Sequence, residues 1–398
     1  MKTILLVIGG VGDRPDSGGH TPLSMAEKPA INGLARKGRV GLLDIGYEKG
    51  MVNPDFGLLN VLGCYSKEDY PGRAYLDALG LGLEPEGTDI CIAGSFATLS
   101  PGGNIKDRRA GGDETGLDSF CRKLDGTEID GVEFTVRKST GNSLLIALKS
   151  GNKRLSGHIT TNDPLREGVP LPQVSAKKPE AKFTASVLNR FLYRSIKLLS
   201  SEPENRDREA PANAILLSSL GSKKTPIGFE ERFGLKGCCI AGAALPRGIG
   251  RFIGMETPDL KGATGMPDTD LMSKAQAAMQ SLKESDFVWL HVNGADALSH
   301  KRKREEKARF MERVDQEVVG PISGHMPDIF WIITSSHSAV SLPGQIWKAD
   351  EHIPDPVPVL VSGGGTKPEN NAFTEAECLK ARMRFEGNDL LPLLLRSL

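Results

Sequence analysis

Asp296 and His300 stand four residues apart, just after an apolar run, Asp286 to Val292, that breaks at Asn293-Gly294. The run reads as a buried strand. A loop that leaves such a strand carrying a carboxylate and an imidazole is where an open α/β sheet places its chemistry. Both side chains are good ligands for a divalent transition metal. The pair alone is also what chance supplies, a loop acid near a loop histidine. Two later histidines, His337 and His352, shift the balance towards a site.

The elements that must position these groups read as two textures. Lys2 to Ile8 is a near-continuous apolar strand that runs into Gly9-Gly10-Val11-Gly12-Asp13-Arg14-Pro15. That glycine cluster has neither the dinucleotide spacing nor that of a Walker loop. A helix opens at Thr21-Pro22-Leu23, and Val40 to Ile45 is a second strand. From about Pro85 to Lys178, short β-like runs (Ile90 to Thr98, Val132 to Arg137, Leu144 to Leu148) alternate with turn residues, which predicts a strand-rich insertion. Asp107-Arg108-Arg109 within it is a candidate anion-binding cluster or a solvated edge. Phe183 to Leu199 is an amphipathic helix. Strand and helix then alternate through Ala214–Leu217, Lys236–Ala241, Leu271–Leu282, Phe287–Val292, Glu305–Val319 and Ile329–Thr334. This order predicts a mostly parallel sheet with helices on both faces. The expected division is a discontinuous α/β core, 1–83 with 183–398, and an inserted lid, 84–182.

Charge is balanced, with 50 basic against 50 acidic residues, so no net field favours nucleic acid or an anionic membrane as partner. The apolar start is too short to span a bilayer and reads as a strand rather than a leader. The six cysteines are scattered apart from Cys238-Cys239, and they read as reduced thiols of a cytoplasmic protein. Lys301-Arg302-Lys303-Arg304 is either a contact patch or a solvated helix start.

Several segments occur together in one known family: Thr21-Pro22-Leu23, Tyr70 to Arg73, Phe96-Ala97-Thr98, Asp107 to Gly111, Gly262-Ala263-Thr264-Gly265, Asp315 to Pro321, and Asp355-Pro356-Val357-Pro358. Over essentially its whole length the chain resembles the archaeal-type 2,3-bisphosphoglycerate-independent phosphoglycerate mutases of the alkaline phosphatase superfamily. The resemblance implies an alkaline-phosphatase-like α/β core with a β-rich lid. It also implies a two-metal reaction in which a serine takes the phosphoryl group from one oxygen of phosphoglycerate and returns it to another.

Carried over by position, the resemblance divides. Asp296, His300 and His352 match one metal site, which suits a zinc or manganese ion. The second site is dismantled. Gly9 stands where the family has an aspartate, Ser336 stands for another, and His337 is the remnant. Pro54 falls on the nucleophilic serine, with Asp55 matching beside it, while Phe56 and Leu58 replace a threonine and a histidine. Met51 to Gly63 offers no Ser, Thr or Cys instead. Proline has no hydroxyl to phosphorylate. Ala93, Ser95, Asn142-Ser143 and a position near Ser218 replace substrate-binding residues. Arg73, Arg108, Arg109, Asp163, Arg247 and Arg251 remain as candidate substrate contacts.

The favoured expectation is a mutase-family protein impaired or inactive in 2-/3-phosphoglycerate interconversion. It would act as a binding or assembly module with one Zn or Mn ion at most. Its partner would be a small phosphorylated metabolite or another protein, and self-association is open. The alternatives are an active glycolytic mutase or a one-metal phosphatase-like hydrolase.

Overall fold

A computed structural model describes residues 1–47, 52–342, 352–369 and 371–396; Met51, at the edge of the aligned nucleophile segment, lies outside them. The chain divides into two compact units, Met1–Glu68 with Pro226–Leu398, and Asp69–Thr225. In chain order the strands begin with β1 (Thr3–Ile8) and β2 (Arg39–Asp44) of the first unit. Next come β3 (Ile90–Leu99), β4 (Ile105–Asp107), β5 (Thr127–Ile129), β6 (Val132–Lys138), β7 (Ser143–Ser150) and β8 (Ala214–Gly221) of the second. The first unit resumes with β9 (Gly237–Ile240), β10 (Phe287–Val292), β11 (Phe330–Thr334), β12 (Ser338–Ala339), β13 (His352–Ile353), β14 (Val357–Ser362) and β15 (Met383–Glu386).

The first unit is built on a sheet of order β15-β2-β14-β11-β1-β10-β9. Six of its strands run the same way, and only β14 runs against both neighbours. Every residue of β1, β10 and β14 is buried. Successive side chains point to opposite faces, so such strands need cover on both, which is why they read as continuous apolar runs rather than alternating ones. One face packs Ile4, Leu6, Val288 and Leu290 against Ile31, Ala275, Met311 and Val314 of the helices Pro29–Lys37, Leu271–Ser281 and Arg304–Val314. The other buries Leu5, Val7, Trp289 and Ile332. Asp315 anchors the first of these helices: its carboxylate accepts the amides of Ala30 and Ile31, two N-terminal donors with no partner inside their own helix.

The second unit is an antiparallel sheet of order β4-β3-β7-β6-β5, with β8 on β3. Helices Leu117–Leu124 and Lys182–Ser201 cover it, and Phe134 stacks on Phe191 with ring centroids 4.3 Å apart. This unit is wider than the expected span 84–182. The sequence order placed Ala214–Leu217 in the parallel core, but β8 pairs antiparallel with β3 from Cys91 to Ala97 and brings the long helix before it into this unit. An apolar run of this length satisfies either sheet. Which edge takes it depends on a pairing across more than a hundred residues.

Candidate metal centre

Residues at the carboxyl ends of the parallel strands build the centre. β10 ends at Val292, and the short helix Gly294–His300 follows, with Asp296 in its first turn and His300 in its last. β11 ends at Thr334 and leads through Ser335-Ser336 to His337, and His352 opens β13. β12 and β13 pair Ala339 with His352, which returns that imidazole to the strand ends.

Asp296 Oδ1 is the centre of the group. It lies 3.1 Å from His337 Nε2, 3.0 Å from His352 Nε2 and 3.5 Å from His300 Nε2. The donor atoms of Asp296, His337 and His352 all fall within 4.8 Å of one another. Donors on a tetrahedral zinc at about 2.1 Å stand roughly 3.4 Å apart, so this spacing fits one ion. Burial acts to raise the Asp296 pKa, but the His337 imidazole and the hydrogen bonds from His300, His337 and His352 outweigh it and hold the carboxyl well below its usual range. Burial, then repulsion from His352, lowers His337 to about 4, against the pull of Asp296. At neutral pH the carboxylate is therefore ionised and His337 is a neutral imidazole with one nitrogen free to ligate, the state a metal requires. Ser336 Oγ lies 3.0 Å from His337 Nδ1 and fixes the ring from its far side.

Beneath this loop lies a buried network. Lys307 Nζ donates to Asp13 Oδ2 at 2.9 Å and to Ala339 O at 2.9 Å, and Asp13 also accepts the amide and hydroxyl of Ser341. Both charged side chains are fully buried. The pair ties the glycine-rich loop after β1 to the loop that carries His337.

Known proteins place this arrangement. The metalloenzyme superfamily model matches residues 1–386. The 2,3-bisphosphoglycerate-independent phosphoglycerate mutase of Methanococcus aeolicus is 34% identical, covering 99% of this chain and 97% of its own. The corresponding mutase 1 of Methanocaldococcus jannaschii is 33% identical over 99% and 96%. The chain belongs to the 2,3-bisphosphoglycerate-independent phosphoglycerate mutase family. Two solved structures agree: the PH0037 protein of Pyrococcus horikoshii (TM-score 0.79, 27% identity, 100% of this chain and 97% of that one) and the cofactor-independent phosphoglycerate mutase of Thermoplasma acidophilum (TM-score 0.67, 26% identity, 100% and 99%).

Within this mutase family frame, the altered positions have definite occupants. β1 and β10 pair Ile8 with Val292, so Gly9 and Asn293 are the next residues along neighbouring strands. A side chain at position 9 would project into the Asn293 amide, with Cβ overlapping Oδ1 and 3.3 Å from Cγ. Asn293 Nδ2 in turn lies 3.4 Å from Asp296 Oδ2. An amide thus fills the space that a side chain at position 9 would take. Pro54 is the first residue of helix Pro54–Val61, where its fixed φ is favourable and its missing N–H costs nothing. The Tyr47 hydroxyl donates to Ser336 O at 2.6 Å and approaches Gly57 too closely for any Cβ there. Burial, then the Asp55 charge, pushes the Tyr47 pKa up, which keeps it a neutral donor. Phe56 packs between Tyr47 and Tyr65, with centroids 5.4 and 4.6 Å away. Among the described residues, Asp296, His337 and His352 form a group whose spacing fits a metal ion. Sequence reasoning missed Asn293 and Tyr47 because each acts on a neighbour distant in the chain, and it missed the Ser336–His337 bond because adjacency does not set where two side chains point.

The other sequence candidates have their own partners. Arg108 forms a two-pronged pair with Asp163, at 3.0 and 2.7 Å, and Arg109 is exposed. Arg73 meets Asp77 at 3.5 Å, and Arg247 pairs with Asp259. Arg251 lies on the helix Ala244–Phe252, which packs against the helix that begins at Pro54. The second unit brings Ala93, Ser95, Ser143 and Ser218 onto three neighbouring strands: Ser95 faces Ser143, and the Ser218 hydroxyl bonds Ala93 O. The positions read from the resemblance as substrate contacts therefore lie together here, with small neutral side chains. The basic run 301–304 is not one patch. Arg304 is buried on Asp16 and His20 O, and Arg302 bonds Val340 O, leaving Lys301 and Lys303 exposed.

Proposed function

We propose that this chain is a phosphoglycerate mutase relative that no longer interconverts 2- and 3-phosphoglycerate through a phospho-enzyme and serves as a one-metal binding module. The observation that carries this reading is the Asn293 amide standing in front of Gly9, together with the absence of a hydroxyl at position 54. Asp296, His337 and His352, with His300 beside them, would hold the one ion. Such an ion supplies charge to bind a phosphate or carboxylate oxygen. Removing members of a catalytic group that acts as a unit leaves little of the original reaction. The neutral positions Ala93, Ser143 and Ser218 remove charge that a phosphorylated acid needs. Among the described residues no helix is long and apolar enough to cross a membrane, and we place the module in the cytoplasm.

The test is an enzyme-coupled assay for 2-/3-phosphoglycerate interconversion with zinc or manganese supplied. Wild type should show no turnover above background, and Pro54→Ser alone should not restore it. Robust wild-type turnover would overturn the proposal. A three-donor set, which leaves a bound ion a coordination position for water, favours a second reading, a one-metal hydrolase. Metal-dependent hydrolysis of an aryl phosphate, abolished by His352→Ala, would select it.

A further inference from the structure

At the opposite end of the sheet from the metal centre, the start of β2 and the end of β14 border a cavity of about 390 Å³. β14 runs away from Asp355 for six residues, roughly 17 Å at strand rise, so this cavity is separate from the metal group. Its size lies in the range of small-molecule sites, about 300–1,000 Å³. The floor is apolar, formed by Phe330, Phe385 and Met383. The rim is Arg39 with the turn Gly364-Gly365-Thr366-Lys367.

Three features of the rim suit an anion. Arg39 gives one guanidinium nitrogen to Glu369, but its Nε is buried and meets no acceptor among the described residues. The Arg39 side chain, 41% exposed, lines the cavity, and its guanidinium is suited to the anionic oxygens of a ligand. Gly363, Gly364 and Gly365 all have positive φ, at 102°, 60° and 76°, a path open to glycine and strained for other residues. This bare backbone lets a ligand approach closely, and among the described residues the amides of Gly364 and Gly365 donate to no protein acceptor. Lys367 adds an exposed ammonium beside them. Glu369 offsets one of the two cations. The turn is not a phosphate loop of the Walker type, since no helix follows it.

We infer that this cavity binds a small molecule that joins a planar apolar ring to a phosphate, with a nucleoside monophosphate as its model. The ring lies over Phe330, Phe385 and Met383, and the phosphate meets the Arg39 guanidinium, Lys367 and the glycine turn. The inference is independent of what the metal centre does.

The test is calorimetric titration of the full chain with AMP, with adenosine and inorganic phosphate as separate arms, each with and without EDTA. AMP should bind saturably and more tightly than either fragment, unaffected by EDTA. Lys367→Glu, on an exposed turn, should weaken AMP by about tenfold or more, the worth of one hydrogen bond to a charged group. Arg39→Met should weaken it similarly, and its unfolding temperature shows whether the fold survives. Absence of AMP binding, equal affinity for AMP and phosphate, loss of binding with EDTA, or unchanged affinity in Lys367→Glu would each overturn the inference.

Discussion

Gly9→Asp tests the closed second metal site directly. A side chain at position 9 meets the Asn293 amide, so the variant must turn that amide aside or shift the strand end. Such overpacking costs about 1–3 kcal/mol, towards the lower end because the obstacle is the far end of a side chain. The new carboxylate would also lie close to the buried Asp296, since the neighbouring Gly10 abuts the Asp296 backbone. Left without a partner it adds a penalty of similar size, about 1–3 kcal/mol. For a unit of this size each kcal/mol lowers the midpoint by roughly 2–4 °C, so the metal-free variant should melt roughly 5–20 °C below wild type. Asn293→Ala in the same chain should recover the overpacking part. Differential scanning calorimetry of metal-free and zinc-loaded protein, with bound metal counted by emission spectroscopy, reads both effects. Gly9→Asp alone should still hold one equivalent. The triple change Gly9→Asp, Asn293→Ala and Ser336→Asp is where a second should appear. A Gly9→Asp protein that melts like wild type and takes up two equivalents would refute the reasoning, because Asn293 would then be no barrier.

Wild type should bind about one equivalent of zinc or manganese, and Asp296→Asn should abolish binding in the same metal count, because the Asp296 carboxylate lies within 3.5 Å of all three imidazoles. Acid should destabilise the metal-free protein. Burial holds His291 near 3 and His337 near 4, below the unfolded value of 6.5, so the unfolded chain binds more protons between those values. Stability is then fully present above about pH 6.5 and lost as pH falls towards 4, which a series of urea melts would show as a falling midpoint. Lys307→Met should cost about 3–5 kcal/mol by leaving Asp13 buried without its partner. Lys307→Met/Asp13→Leu should recover part of that in the same melts.

The sequence by itself determined the kind of core and the ends of its strands. The runs at Ile4–Ile8 and Phe287–Val292 are apolar at every position but His291, which a sheet covered on both faces accommodates, and both occur as buried parallel strands. It also determined which chemical groups are present and which are missing: proline cannot become a phosphoester, whatever surrounds it. The family was legible because its motifs run the length of the chain. The tertiary structure decided what the sequence left open. Ala214–Leu217 joined the antiparallel sheet because an apolar strand carries no mark of its partner. His337, read as the remnant of a lost site, stands within the same donor group as Asp296 and His352, since the turn after β11 and the β12–β13 pairing bring separate loops to one carboxylate. The Asn293 amide came to face Gly9 through strand register, which pairs Ile8 with Val292 and so brings together residues nearly three hundred positions apart. Local sequence sets what a residue can do, and pairing between distant segments sets what it faces.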